Sequence, residues 1–190
     1  ALSIVCGYLL TVIIFPLFIL LFITIFVLVK LDSPGPAIHR RRVLGYRGRQ
    51  FDIYKFRTLH INGEQLLSSL PDLQKELREN YKIKNDPRIT RIGVFLRKTS
   101  LDELPQLINI LKFDLTLVGP MVIDPNAIEN FGKFADSLLM VLPGVTGLAQ
   151  VQHPFPLSLE ERVLLDLKYI YNRSTWNDLK ILFVETPINV

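Results

Sequence analysis

The first 29 residues of the chain form an apolar run without a charged side chain, and the first charge is Lys30. A helix needs roughly 20 apolar residues to cross a bilayer, so this run is long enough to be a membrane segment. A cleavable signal peptide is not expected, because the run lacks a basic start and no small-residue cleavage site follows it. We therefore predict a membrane-embedded element over residues 1–36, ended by the Pro/Gly cluster at 32–36.

Phe15-Pro16 lies near the middle of the apolar run. A proline inside a helix removes one backbone hydrogen bond and kinks the helix, which here leaves two pieces that are each short for a spanning segment. Spanning helices nevertheless tolerate proline. The pattern alone therefore leaves two arrangements open, a single spanning helix and a re-entrant helix that enters one leaflet and returns.

Basic residues follow the apolar run directly. Residues 30–57 contain eight basic side chains against only two acidic ones, Asp32 and Asp52. Such an excess favours the cytoplasmic side of the membrane and anionic lipid headgroups. We therefore expect residues 37–190 to form a cytoplasmic domain on the membrane surface. Nucleic acid is not an expected partner, because the charge adjoins the membrane segment and no recognised module is present.

The polar part of the chain has the pattern of a mixed domain. Strand-like residues 37–44 and 50–57 flank a Gly-containing turn at 45–48, which predicts a β-hairpin. Residues 115–118 read as a further short strand, and residues 160–171 read as a helix. The predicted fold class is α+β, with a kinked membrane helix, a hairpin and a compact, helix-rich domain.

The segment TSLDELPQ at 99–106 places Asp102 and Glu103 side by side. Ser100 and Glu103 have the spacing of a helix capping box. Asp102 as the cap would instead place Pro105 in the first turn, where its missing N–H costs nothing. The predicted helix start is thus ambiguous by two residues, but both registers put the two carboxylates at the positive end of a helix.

Besides a structural role at a helix start, the two carboxylates could have a chemical role. Arg88, Arg91 and Arg97 precede them, and a carboxylate near arginines at a helix start is expected to stay ionised. It could then act as a nucleophile or bind Mg²⁺, which is usually held by one or two carboxylates and substrate phosphates. Arginines suit a phosphate ligand. A solvated, charged helix surface remains the structural alternative.

Several motifs together resemble one family. They are the apolar run with a central proline, IYKFRTL at 53–59, NDPRITRIGVFLRKTSLDELPQLINILK at 85–112, LVGP at 117–120 and PGVTGLAQV at 143–151. This set resembles the bacterial sugar transferases, the monotopic polyprenol-phosphate phosphoglycosyl transferases. The resemblance, and a start at Ala1 rather than methionine, lead us to expect the catalytic part of a larger member.

The resemblance implies a reaction and a site. The enzyme would move a sugar-1-phosphate from a nucleotide diphosphate sugar, expected to be a UDP-sugar, to polyprenyl phosphate and release UMP. It would work at the cytoplasmic face of the bacterial inner membrane, with a re-entrant N-terminal helix and either as a monomer or as a homo-oligomer. Asp102 matches the nucleophile that forms an aspartyl phosphosugar, and Glu103 matches its partner, with both available to Mg²⁺. The implied phosphate contacts are Arg97, Arg88, Arg91, Lys55 and Arg57, and the implied donor-site residues are Asp166 and Gln150.

Four features depart from the family pattern. Met121 and Leu142 stand where arginines are common, Gln152-His153-Pro154 stands in place of Asn-Gly-Arg, and Phe15 precedes the membrane proline where Ser or Thr is usual. Two rival functions also stay open. One is a membrane-anchored scaffold that binds anionic lipid without catalysis. The other is a phosphohydrolase that transfers the aspartyl phosphate to water.

Overall fold

The computed structural model describes residues 2–71, 73–75, 83, 86–152 and 157–184, with side chains from Pro16 to Phe183 within these ranges. Helix α1 spans Leu2–Asp32, and strands β1 (Ile38–Leu44) and β2 (Gln50–Phe56) follow it. The later elements are α2 (Gly63–Ser68), α3 (Arg91–Lys98), a 3-10 helix (Leu101–Gln106), α4 (Leu107–Leu111), β3 (Thr116–Val118), a 3-10 helix (Pro125–Phe134), α5 (Ala135–Leu139), β4 (Gly144–Thr146), α6 (Leu148–Gln152), α7 (Leu159–Tyr171) and α8 (Thr175–Val184).

Helix α1 continues through Pro16 and packs its C-terminal part into the domain. Ile25 and Val29, one helical turn apart, are buried in a cluster with Phe56 and Leu96. The ring centroid of Phe22 lies 4.9 Å from that of Phe56. In the part of the chain whose side chains the structure describes, no helix is both long enough and apolar enough to cross a membrane. The re-entrant arrangement stays a prediction.

The predicted hairpin is confirmed. Strands β1 and β2 pair antiparallel, with Ile38 opposite Phe56 and Leu44 opposite Gln50. On one face of the hairpin, Val43, Phe51 and Ile53 form a buried cluster with residues after α4. The three arginines of β1 are exposed. Arg40 and Arg42 lie on the opposite face of the hairpin, whereas Arg41, which pairs with Ile53, alternates onto the same face as Val43.

The chain after α4 forms a second, smaller sheet. In this sheet strands β3 and β4 pair parallel, with Thr116 opposite Gly144. A Cβ atom on Gly144 would overlap the backbone amide of Gly119. Only glycine therefore permits this approach of the two strands. Val118 of β3 then packs with Tyr169 and Ile181 of α7 and α8.

The predicted helix at 160–171 is confirmed as α7, which begins one residue earlier. Ser158 and Glu161 form a capping box at its start: the Ser158 hydroxyl accepts from the Glu161 N–H, and the Glu161 carboxylate accepts from the Ser158 N–H. The fold class of a mixed, helix-rich α+β domain with a two-stranded hairpin is thus confirmed.

Candidate active site

The two adjacent carboxylates lie on a 3-10 helix, and the predicted caps are wrong. Ser100 has a left-handed backbone with φ 53°, and its side chain makes no capping hydrogen bond. The Glu103 N–H donates to the Ser100 carbonyl at 3.1 Å, which is the spacing of a 3-10 turn. Pro105 has no N–H to donate, so it could not complete an α-helical bond at this point. The prediction that the two acids begin a helix is confirmed, because both lie in the first turn of this 3-10 helix, which continues directly into α4.

Lys55 and Glu103 form an ion pair across two elements. The Lys55 Nζ atom donates to Oε1 of Glu103, and both side chains are partly exposed. Lys55 belongs to β2, against which the 3-10 helix packs. The hairpin therefore places a cation directly beside the carboxylate pair.

Asn109 holds these two elements together. Its side chain is fully buried, with Nδ2 donating to the Asp52 carbonyl at 2.8 Å and Oδ1 accepting from the Tyr54 N–H at 3.2 Å. Since buried polar groups need partners, the amide continues the hydrogen bonding of β2 into α4. We did not predict this residue. The available signal was a single asparagine within the apolar sequence LINIL.

Arg97 is positioned by Thr58. The Nε atom of Arg97 donates to Oγ1 of Thr58 at 2.9 Å, and Thr58 is buried next to the end of β2. This bond uses one of the five guanidinium donors and leaves the Nη groups available to an anion. Asp102 lies close enough to interact electrostatically with Arg97.

Arg88 and Arg91 differ in placement. The guanidinium of Arg88 donates two hydrogen bonds to the Asp86 carboxylate, from Nε to Oδ1 at 2.8 Å and from Nη2 to Oδ2 at 2.7 Å. Burial alone would raise the pKa of Asp86, but the hydrogen bonds from Arg88 outweigh it and hold that pKa below its usual range. Arg91 is exposed at the first residue of α3 and does not line the cavity that contains the carboxylate pair.

Arg57 is buried at the end of α1. Its Nη2 donates to the Ser33 carbonyl at 2.7 Å, and its Nη1 donates to the Pro34 carbonyl. Nearby, Oδ2 of Asp32 accepts from the Ile92 N–H at 2.9 Å. These contacts tie α1 to β2 and α3, and they favour a structural role for Arg57 over the predicted phosphate contact.

A cavity of about 1170 Å³ brings most of the predicted site residues together. Asp102 and Glu103 line it from the 3-10 helix, and Lys55 lines it from β2. Four further cations line it, Arg40, Arg57, Arg88 and Arg97. Helix α1 contributes Phe26 and Lys30, so the cavity reaches from a pair of carboxylates to the end of the apolar N-terminal helix.

The environment of Asp102 differs from the one we expected. Burial raises the pKa of this carboxyl, Glu103 raises it further, and the positive charges of Lys55 and Arg97 act in the opposite direction without cancelling the rise. Arg97 lowers this pKa as we expected, but burial outweighs its effect and the net direction is upward. That Asp102 is ionised at neutral pH stays a prediction. A less stabilised carboxylate is a stronger base and nucleophile once it is ionised.

Four other residues from the sequence analysis group around the turn at Gly119 and Pro120. Oδ2 of Asp166 accepts from the Met121 N–H at 3.2 Å, and burial raises the pKa of Asp166 to about 6. Gln150 donates to the Val145 carbonyl at 3.1 Å. The carbonyl of Leu142 packs against Gly119. None of the four lines the cavity, and the donor-site role of Asp166 and Gln150 stays a prediction.

Comparison with known proteins gives the chain a family. The model of the family described as bacterial sugar transferase matches residues 1–190. An undecaprenyl-phosphate galactose phosphotransferase of Salmonella typhimurium is 41% identical over 185 residues, which cover 95% of this chain and 38% of that protein.

Two further relatives differ in length. The exopolysaccharide production protein ExoY of Rhizobium meliloti is 38% identical over 175 residues, covering 90% of this chain and 77% of that protein. A UDP-glucose:undecaprenyl-phosphate glucose-1-phosphate transferase of Escherichia coli is 36% identical over 167 residues, covering 82% of this chain and 33% of that protein. The chain thus spans well under half of the Salmonella and Escherichia proteins, and it belongs to the bacterial sugar transferase family.

Proposed function

We propose that this chain transfers a sugar-1-phosphate from a UDP-sugar to polyprenyl phosphate and releases UMP. The observation that carries the proposal is the cavity in which Asp102, Glu103, Lys55 and Arg97 meet beside the end of α1. Such a site offers a nucleophile and cations for phosphates next to an apolar element. The names of the Salmonella and Escherichia relatives, which specify undecaprenyl phosphate and UDP-glucose, support both substrates.

The proposed chemistry has two displacements at one phosphorus atom. A carboxylate oxygen of Asp102 attacks the phosphorus bonded to the sugar, and the bond from that phosphorus to the oxygen shared with the nucleotide breaks. UMP leaves, and the sugar phosphate is bound covalently to Asp102. An oxygen of the polyprenyl phosphate then attacks the same phosphorus, which releases Asp102 and forms a sugar diphosphate lipid.

The neighbouring side chains have separate tasks in this scheme. Lys55 holds Glu103 in place through their ion pair and adds positive charge beside the reacting phosphates. Arg97, fixed by Thr58 through Nε, offers its Nη groups to the equatorial oxygens of the transferred phosphoryl group. Preorganised cations of this kind stabilise charge that develops in the transition state.

Mg²⁺ is the proposed cofactor, and the residues present fit it. Within the described residues no group of three or more His, Cys, Asp or Glu side chains could hold a metal. Asp102 and Glu103 nevertheless supply two carboxylates beside a cavity large enough for phosphates, which is the usual protein share of a Mg²⁺ site. When bound there, the ion would neutralise phosphate charge.

The proposal also includes a membrane arrangement. We propose that α1 enters the inner leaflet of the bacterial inner membrane as a re-entrant helix and that the catalytic domain faces the cytoplasm. Leu20 and Ile23 support an apolar environment, since 61% and 54% of their surfaces are exposed. The exposed arginines of β1 would meet anionic headgroups.

Cysteine labelling tests the re-entrant arrangement. In a variant with Cys6 replaced by serine, single cysteines at Ser3 and Pro34 are exposed to an impermeant maleimide in intact cells and in inside-out vesicles. We expect both to react only in inside-out vesicles. Reaction of Ser3→Cys in intact cells would place the two ends on opposite faces and refute the re-entrant helix.

The activity is tested with the whole chain in detergent or nanodiscs. Protein, Mg²⁺, a short polyprenyl phosphate and a panel of UDP-sugars are combined, and both UMP and the lipid product are measured. We expect UMP and sugar diphosphate lipid in equal amounts, and loss of both after EDTA. No UMP across the panel would contradict the proposal and favour a scaffold. Continuous turnover without lipid, with release of free sugar phosphate, would identify a phosphohydrolase.

A further inference from the structure

We propose that Lys30 of α1 binds the phosphate of the polyprenyl phosphate acceptor, with Phe26 contacting the adjoining isoprenoid. This inference rests on the proposed function and adds the position of the second substrate. It follows from the register of α1, from the way the end of that helix is held, and from the charges around the cavity.

The register of α1 gives it two neighbouring rows of side chains. Ile25 and Val29 are four residues apart and are buried in the domain. Phe26 and Lys30 follow each of them by one residue, so they also share a face of the helix. Both line the cavity that contains Asp102. Because Ile25 and Val29 pack into the domain, the neighbouring row of Phe26 and Lys30 borders the site.

The end of α1 is held firmly just beyond Lys30. The Asp32 carboxylate accepts from the backbone N–H of Ile92, and the Arg57 guanidinium binds the Ser33 carbonyl. Lys30 thus stands on a backbone segment anchored to both β2 and α3. A cation on such a segment keeps its position relative to Asp102 while its long side chain adapts to a ligand.

Position on the apolar helix, together with charge, distinguishes Lys30 from the other cations of the cavity. Two of these are paired with acids, Lys55 with Glu103 and Arg88 with Asp86. The other three have different contacts and lie outside α1: Arg57 donates to backbone carbonyls, Arg97 donates to Thr58, and Arg40 lies over the Tyr54 ring. Lys30 is exposed, and within the part of the chain that the structure describes it makes no ion pair. It is also the only cation in α1, whose remaining residues before Asp32 are uncharged. A free cation at the end of an apolar helix matches a ligand with one phosphate and a hydrocarbon chain.

The two substrates then reach the cavity from different sides. The nucleotide sugar has no hydrocarbon chain and needs several cations for its diphosphate, which Arg97 and Lys55 offer near Asp102. The acceptor has a monophosphate that must approach the same phosphorus after UMP has left. A lysine on α1 can hold this phosphate while its chain lies along the apolar side chains of the helix.

Lys30→Gln tests the assignment by separating the two displacements. Without acceptor, the single-turnover yield of UMP is measured. With acceptor, initial rates are measured against the concentration of polyprenyl phosphate. We expect the KM for polyprenyl phosphate to rise about tenfold, while the KM for the UDP-sugar changes less than twofold. Lys30→Arg should restore most of the acceptor KM, because arginine also binds phosphate.

Two controls separate acceptor binding from a general effect of surface charge. Lys168→Gln removes an exposed lysine of α7 outside the cavity and should leave both KM values unchanged.

The assays are also run in nanodiscs of phosphatidylcholine alone and with phosphatidylglycerol. An acceptor effect in both supports the proposal, whereas an effect only with phosphatidylglycerol would assign Lys30 to lipid headgroups and overturn it. An unchanged acceptor KM in an active Lys30→Gln protein would also overturn it. Absence of UMP from the wild-type protein would refute the proposed function instead.

Discussion

Replacing Asp102 with asparagine is expected to lower UMP release by about 10³-fold or more, since removal of a nucleophile affects every turnover. Asparagine keeps the size of the side chain but cannot form the aspartyl phosphosugar. Mass spectrometry of the denatured protein, after incubation with UDP-sugar and Mg²⁺ but no acceptor, should find a sugar phosphate adduct in the wild type and none in the variant.

The same substitution should not unfold the protein. Burial raises the pKa of Asp102, so the folded state binds this proton more tightly than the unfolded state does. The charged form therefore costs stability at neutral pH, and this cost disappears as the pH falls through the folded pKa towards the ordinary value. A neutral asparagine avoids the cost. We expect the Tm of Asp102→Asn at pH 7.5 to equal or slightly exceed that of the wild type.

The raised pKa also gives the wild-type rate a pH dependence. Only the ionised carboxylate can attack phosphorus, so the rate should fall on acidification, starting at a higher pH than an ordinary aspartate would allow. Asp136→Asn, which changes an exposed acid of α5 outside the cavity, is the matched control and should retain full activity. Full activity of Asp102→Asn, with no adduct in the wild type, would refute the nucleophile assignment.

The sequence predicted the elements that are determined by contacts between residues close in the chain. The hairpin at 37–57 was recognisable because alternating side chains flank a Gly-containing turn. Helix α7 was recognisable from its periodicity, and its start is set by Ser158 and Glu161. The same type of motif misled at Ser100 and Glu103, where Pro105 and the ion pair with Lys55 impose a 3-10 helix instead.

Contacts between distant residues account for what the sequence did not predict. Asn109 meets the backbone of β2 more than fifty positions earlier, and no local pattern encodes that bond. The rise in the pKa of Asp102 also depends on burial by other elements. Of the cations named from the sequence, Lys55, Arg57, Arg88 and Arg97 line the cavity with the carboxylates, whereas Arg91 does not. Their contacts with phosphate stay predictions.

Arg57 is the residue whose replacement should cost the most stability. The residue is 6% exposed, and its guanidinium donates to the Ser33 and Pro34 carbonyls at the end of α1. Arg57→Met keeps an unbranched stem as far as the Nε position but lacks the Nη groups, so these carbonyls are left without a donor. Hydrogen bonds from charged groups contribute about 1.5–3 kcal/mol each, so we expect a loss of about 3 kcal/mol or more. For a chain of this size that corresponds to a Tm lower by about 10 °C.

The Arg57 variant also decides between a structural role and the phosphate contact implied by the family resemblance. If the guanidinium mainly holds α1, Arg57→Met will have a lower Tm but, assayed well below that Tm, a KM for UDP-sugar within about threefold of the wild type. A tenfold higher KM with an unchanged Tm would contradict the structural role. Arg41→Met is the control, because the side chains of Arg41 and of its ion-pair partner Asp124 are 53% and 32% exposed. Exposed pairs contribute about 0–1 kcal/mol, so the Arg41 variant should keep its Tm. A difference between these two arginines would mean that burial of the charge at the end of α1, rather than positive charge in general, fixes α1 to the site.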